Sequence, residues 1–152
     1  MMKTARSLAF LVLCTLTLSS CGTAFNREWS AAMAKPIPVG SIEGPWEGTW
    51  LSQGSGHHGS LRCVVGPQTG HDRPFFYHAT WGSFLSGSFK AQHHVSTLPT
   101  ATAFTADSDL GVYGKFKANG IVTNGDFKAT YNAAGDHGTF EMKRPLGGGS
   151  KP

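Results

Sequence analysis

The sequence predicts an all-β domain, a small antiparallel meander barrel of seven to eight strands, on three observations. A five-residue pattern of alternating character recurs six times. Between its copies stand residues that tolerate a positive φ, as "AGDHG", "TNGD" and "ANG". The alternation also makes no sense on a helix, where it would scatter the apolar residues around the axis.

The copies begin at Gly48-Thr49-Trp50-Leu51-Ser52, Gly59-Ser60-Leu61-Arg62-Cys63 and Gly87-Ser88-Phe89-Lys90-Ala91. They continue at Gly114-Lys115-Phe116-Lys117-Ala118, Gly125-Asp126-Phe127-Lys128-Ala129 and Gly138-Thr139-Phe140-Glu141-Met142. Glycine, large apolar residue and small residue share one face of a strand; the polar and charged residues share the other. Strands are expected at about 46–52, 58–66, 75–82, 84–92, 101–106, 111–118, 121–131 and 137–144. Such a meander closes into a barrel or folds as a sandwich, and closure removes the edges that would pair with other chains. Asn119-Gly120 is expected to close a hairpin, with Gly125 at a bulge in the strand that follows. The repeat glycines are expected to relieve crowding where strands bend and to let a ring cover neighbouring backbone.

The amino end reads differently. "MMKTARS" carries Lys3 and Arg6, and the apolar run Leu8–Leu18 is only about 11 residues long. That is too short to span a bilayer but right for a signal peptide, so residues 1–20 are expected to be a leader. Leu18-Ser19-Ser20-Cys21 resembles the lipobox of bacterial lipoproteins. The resemblance implies that the Cys21 thiol receives the lipid and becomes the first mature residue. With Gly22 rather than Asp after it, it also implies delivery to the outer membrane where the host has one.

Residues 21–41 are expected to be a lipidated tether, with a short helix over 26–35 bearing Trp29 and Met33 on one side. Pro36, Pro38 and Pro45 bar regular helix beyond it. The barrel domain is expected over 42–145, followed by a flexible tail over 146–152, "LGGGSKP". The opening "GPWEGTW" resembles the Gly-x-Trp start of calycin barrels, the lipocalins and avidins, which implies that the tryptophan of that motif plugs one barrel end. The lipobox, tether, "EGPWEGTW" and "DHGTFEMKRP" together also look like small bacterial lipoproteins of unassigned function.

The chemistry of the chain narrows its function. Thirteen Lys and Arg face nine Asp and Glu, two of the bases lie in the leader, and no basic run exists, so nucleic acid is not an expected partner. Of three cysteines, Cys14 leaves with the leader and Cys21 is the lipid-attachment residue, so Cys63 has no partner and reads as a buried, inert thiol. No cofactor and no catalytic residue are expected: there is no Gly-x-Ser-x-Gly, Ser-x-x-Lys, His-Glu-x-x-His or Cys-x-x-Cys. Asp136-His137 reads as a turn before an acid–base pair, and Asp107 and Asp109 as a turn before a cation site.

Seven histidines are the one unusual feature: His57, His58, His71, His78, His93, His94 and His137. Adjacent strand residues face apart, so each pair offers one ligand to a given site. His58, His94 and His137 form a zinc set only if their strand ends share one rim; otherwise they are loop residues. "RPFFYHATW" is apolar on both faces, Phe75, Tyr77, Ala79 and Trp81 against Phe76, His78 and Thr80. It is expected to have core on one side and tether or loop on the other, or else to expose a binding strip. With Trp50, Phe89, Phe116, Phe127 and Phe140 directed inward, the barrel is either filled or holds one small molecule. The expected protein is thus a lipid-anchored envelope protein with a binding or structural module. It contacts the membrane through Cys21, and its partner is either a small ligand, as for a lipocalin-like carrier, or an envelope enzyme that it inhibits.

Overall fold

A computed structural model describes residues 22–37, 39–111 and 114–147. The leader, the lipobox and Cys21 lie outside the described residues, as does the end of the tail. Helix α1 covers 22–33. Eight strands follow: β1 (Gly44–Ser52), β2 (His58–Val65), β3 (Asp72–Trp81), β4 (Leu85–Thr97), β5 (Thr102–Asp109), β6 (Lys115–Thr123), β7 (Asp126–Ala133) and β8 (Asp136–Lys143). Each pairs antiparallel with the next, and β1 also pairs with β8, so the meander closes into a barrel. This is the all-β architecture that the alternation predicts and that the calycin resemblance implies. No helix among the described residues is long and apolar enough to cross a membrane.

Up-and-down order gives the barrel two unlike ends. At one end β1, β3, β5 and β7 begin and the even-numbered strands finish; at the other the reverse holds. The first end is closed. Trp46 is buried there, its indole N–H donating to the Ile42 carbonyl at 2.8 Å. The Arg144 guanidinium lies 3.7 Å from the Trp46 ring centroid and donates to the Pro45 and Ser41 carbonyls. Burial holds the Arg144 pKa down to about 10, still charged at neutral pH and able to bind the ring by cation–π attraction. Above Trp46, Phe75, Phe104 and Phe127 pack with centroids 4.7 to 6.3 Å apart.

Two details of the strand layout differ from expectation. Asn119 and Gly120 lie within β6, opposite Thr130 and Ala129, and the hairpin closes instead at Asn124-Gly125. Both of those residues have positive φ, 51° and 82°, as a two-residue hairpin turn of the primed kind requires. Gly125 is therefore a turn residue and not a bulge. Gly120 has another role, because a Cβ there would meet the Phe104 ring at 2.1 Å. The ring lies directly on backbone, as expected of some repeat glycines. β4 also runs five residues past the expected end, carrying His93 and His94 inside the strand.

The segment expected as a tether carries α1, which starts earlier than the expected 26–35 and lies along the barrel wall. Phe25, Trp29, Ala32 and Met33 recur at helical spacing, and Phe25 and Ala32 are buried. Phe25 meets Phe76 edge-on at 5.1 Å and stacks on His78 at 4.9 Å. Arg62 covers Phe25 and Trp29 from β2, and Lys90 of β4 pairs with Glu28 at 2.7 Å. The two-faced apolar strand β3 is thus explained: Phe75 and Tyr77 face the core, Phe76 and His78 face the helix.

Candidate functional site

The open end of the barrel holds a cavity of about 390 Å³, lined chiefly by Trp50, Leu61, Ala79, Trp81, Phe89, Phe116, Tyr131 and Phe140. Ligand sites typically range from about 300 to 1,000 Å³. Small residues stand at three inward positions near this end, Ala79, Gly87 and Ala133, among the large rings of Trp50, Trp81, Phe89, Phe116 and Phe140. Glycine also lets the large rings lie flat against the wall. Trp50 lies against Gly59, where a Cβ would meet its Nε1 at 2.9 Å, and Trp81 lies over Gly87, where a Cβ would sit 3.2 Å from the ring. The two tryptophans meet edge-to-face at 6.4 Å.

The polar groups of this end bond one another. Trp50 Nε1 donates to the Thr80 carbonyl at 2.9 Å. The Asp136 carboxylate accepts from Ser52 Oγ at 2.5 Å, Tyr131 Oη at 3.1 Å and the His137 backbone N–H at 2.8 Å. The bond from Ser52, with the others behind it, holds the Asp136 pKa below the usual carboxylate value. Burial, then the hydrogen bond to Asp136, pushes the Tyr131 phenol up to about 12. The phenol is a fixed donor at neutral pH and its ring stacks on Phe140 at 4.7 Å. Asp136 and His137 are the first two residues of β8, and the turn that the sequence indicates is Ala134-Gly135 before them. The surface offered to a ligand is accordingly rings and methyl groups, not unsatisfied charge.

The histidines do not gather. His58 and His137 stand at the open end, at the starts of β2 and β8, while His94 lies outside the barrel toward the closed end. There His94 Nδ1 is 3.3 Å from Asp72 Oδ1. The shared rim that zinc would need is not formed, because His58 and His137 lie at the starts of even-numbered strands and His94 near the finish of one, at opposite poles of the meander. Among the described residues, no group of three or more His, Cys, Asp and Glu is arranged to hold a metal ion.

His93 is the surprise. It is fully buried, stacked on Phe75 at 3.9 Å, and bonded at both nitrogens. Nδ1 lies 3.1 Å from the Ala91 carbonyl, so it carries the proton, and Nε2 accepts from Tyr77 Oη at 3.0 Å. Burial pushes its pKa down to about 4, against the raising effect of the Ala91 carbonyl. It is a neutral core residue that separates the packed half from the cavity half. Alternation along β4 would have placed it inward once the strand was known to reach Thr97. Cys63 is buried and its thiol is pushed up by desolvation, which leaves it protonated and inert.

The cavity itself was not legible from the repeat, which counted Trp50, Phe89, Phe116, Phe127 and Phe140 as one set. Phe127 packs at the closed end while the other four line the cavity.

No family model matches the chain, and no curated protein matches it. A mutant of the fluorescent protein UnaG is a similar solved structure, with a TM-score of 0.40, 11% identity and coverage of 69% of this chain and 96% of that one. Likeness at that level carries no argument about the site. The chain is described by its own geometry: an eight-stranded closed barrel, plugged at one end and hollow at the other.

Proposed function

We propose that this protein is a lipid-anchored envelope protein whose barrel takes up one small apolar molecule at its open mouth. The observation that carries the binding role is the cavity of about 390 Å³, walled by aromatic rings and closed beneath. Such a wall removes an apolar ligand from water and contacts ring or chain by dispersion. A charged ligand would be left without a partner inside, since Tyr131, Ser52 and Trp50 already have theirs. The ligand class is therefore uncharged and apolar over most of its surface, with any polar end at the mouth near His57.

The anchor rests on the order of basic start, short apolar run and lipobox ending at Cys21. Two or more acyl chains on one residue give stable membrane attachment, where one would be marginal. Cys21→Ser should block maturation and leave a heavier precursor; normal processing and release would remove the anchor from the proposal.

The binding role is tested by titrating a fluorescent apolar probe, such as an anthracene- or acyl-bearing dye, and following its emission with that of Trp50 and Trp81. Saturation at one probe per chain with tryptophan quenching is expected. Linear, non-saturating uptake would mean that the mouth is not a site.

A further inference from the structure

The mouth has a feature that ligand capture alone does not need. The β3–β4 turn projects from the open end, and its side chains are apolar and exposed: Phe84 at 98%, Leu85 at 59% and Trp81 at 38%. Trp81 also lines the cavity, so apolar surface runs unbroken from the interior to the tip. A fully exposed phenylalanine next to an exposed leucine contributes nothing to the fold and is a liability in water. The turn itself, 82–84, contains no Lys, Arg, Asp or Glu, and the charges of this end, Asp109, Lys115 and Asp136, stand on β5, β6 and β8.

The course of α1 adds an independent direction. Phe25 stacks on His78, and Glu28 reaches Lys90, which pairs across the sheet with Phe76. Ile37 then lies beside Gly44 at the closed end, 3.5 Å from where a Cβ of Gly44 would be. From residue 25 onward the chain therefore runs away from the mouth. Its beginning at Gly22 points toward the mouth, about 5 Å beyond Phe25 at 1.5 Å of rise per residue. The described chain thus begins on the mouth side of Phe25, and the apolar run Leu8–Leu18 and Cys21 precede it in sequence.

We propose that the open mouth docks on a lipid surface, with Trp81, Phe84 and Leu85 as the inserting edge, so that the cavity opens into the membrane instead of water. Trp, Phe and Leu are the residues that interfacial segments bury at the headgroup boundary. The turn that carries them has no charged residue, so the inserting edge enters without desolvating fixed charge. The occupant is a bilayer, not a protein groove: the apolar tip and the Gly22 end of α1 lie on the same side, and the sequence that leads into Gly22 carries the apolar run and the lipobox. The inference goes beyond ligand binding and rests on different side chains, apart from Trp81.

The test uses the full chain in vesicles of phosphatidylethanolamine and phosphatidylglycerol that contain phosphatidylcholine brominated on its acyl chains. The emission assigned to Trp81, by difference from Trp81→Phe, should be quenched at least twofold. A tryptophan moved to the closed end, Leu98→Trp in the Trp81→Phe background, should not be quenched. Replacing Phe84 and Leu85 with Ser should relieve most of the Trp81 quenching with an unchanged Tm, since neither is packed. Equal quenching at both ends, quenching only at position 98, or none at Trp81 would overturn the proposal. Absent quenching together with saturable probe uptake in the cavity would overturn membrane docking and leave the binding reading intact.

Discussion

The two halves of the barrel are built from one alternating pattern and end in opposite states. At the closed end Trp46, Phe75, Phe104, Phe127 and Met142 pack with the smaller Cys63, Val65, Ala91 and Val95 and fill the space. At the open end the inward rings of Trp50, Trp81, Phe89 and Phe116 share their layer with Ala79, Gly87 and Ala133, and a cavity is left. Periodicity decides which face a residue takes; the sizes of the residues that share a layer decide whether that layer is solid. Between the halves stands His93 with Tyr77, a buried polar pair satisfied on every side.

The contrast is broken most directly by removing one ring from each half. Phe127→Ala should cost about 3–5 kcal/mol, because a fully packed ring leaves a cavity that cannot collapse. Phe89→Ala, half-buried beside existing empty space, should cost about half as much or less. Urea unfolding of the two variants measures the difference. Equal losses would mean that the open half is as tightly packed as the closed one.

The boundary is sharpened by pH. His93 is neutral in the folded protein, with a pKa of about 4 against an ordinary value near 6.5. The unfolded chain therefore takes up the proton first, and stability is full above pH 6.5, declines as pH falls toward 4, and levels below it. The two values bound the loss at about 3 kcal/mol. Asp136, with its lowered pKa, adds stability above the ordinary carboxylate range that is lost only at still lower pH. Urea midpoints from pH 7.5 to 4.5 should show the His93 slope, and His93→Gln should flatten it. An unchanged slope in the variant would place the titrating group elsewhere.

Glycine positions give smaller effects. Gly120→Ala sets a methyl against the Phe104 ring and should cost about 1–3 kcal/mol by overpacking. Gly125→Val meets no neighbour but forces a branched residue to a φ of 82°, which should cost about 1–2 kcal/mol. Thermal unfolding of both separates the two roles: a second change, Phe104→Leu, should relieve the first and leave the second unaltered. Relief of neither would remove the ring-on-backbone account of Gly120.

These glycines also show what the sequence can and cannot carry. The alternation exposes the strands and their inward faces because it is local, and the barrel follows from having eight of them in a row. Asn-Gly occurs at both 119–120 and 124–125, and local chemistry favours a turn at either. Only Phe104, distant in sequence, decides that the first is strand. His94 parts from His58 and His137 through strand direction: it lies near the finish of β4 while they start β2 and β8, so the up-and-down order sets them at opposite poles. That the second face of β3 meets the tether or a loop was legible from its apolar residues; that Phe25 of the tether helix is the contact was not. Whether the barrel is filled or hollow was left open by the sequence, because it depends on which residues from different strands share one level.

The central claim is that the open half encloses a preformed apolar space. Ala79→Phe, which places a ring in that space, tests it in one measurement of probe affinity and unfolding free energy on the same variant. Loss of saturable probe binding by tenfold or more, with stability kept or raised, is the predicted result. Probe binding retained while the barrel is destabilised would contradict it, since the ring would then have been forced into a layer already full.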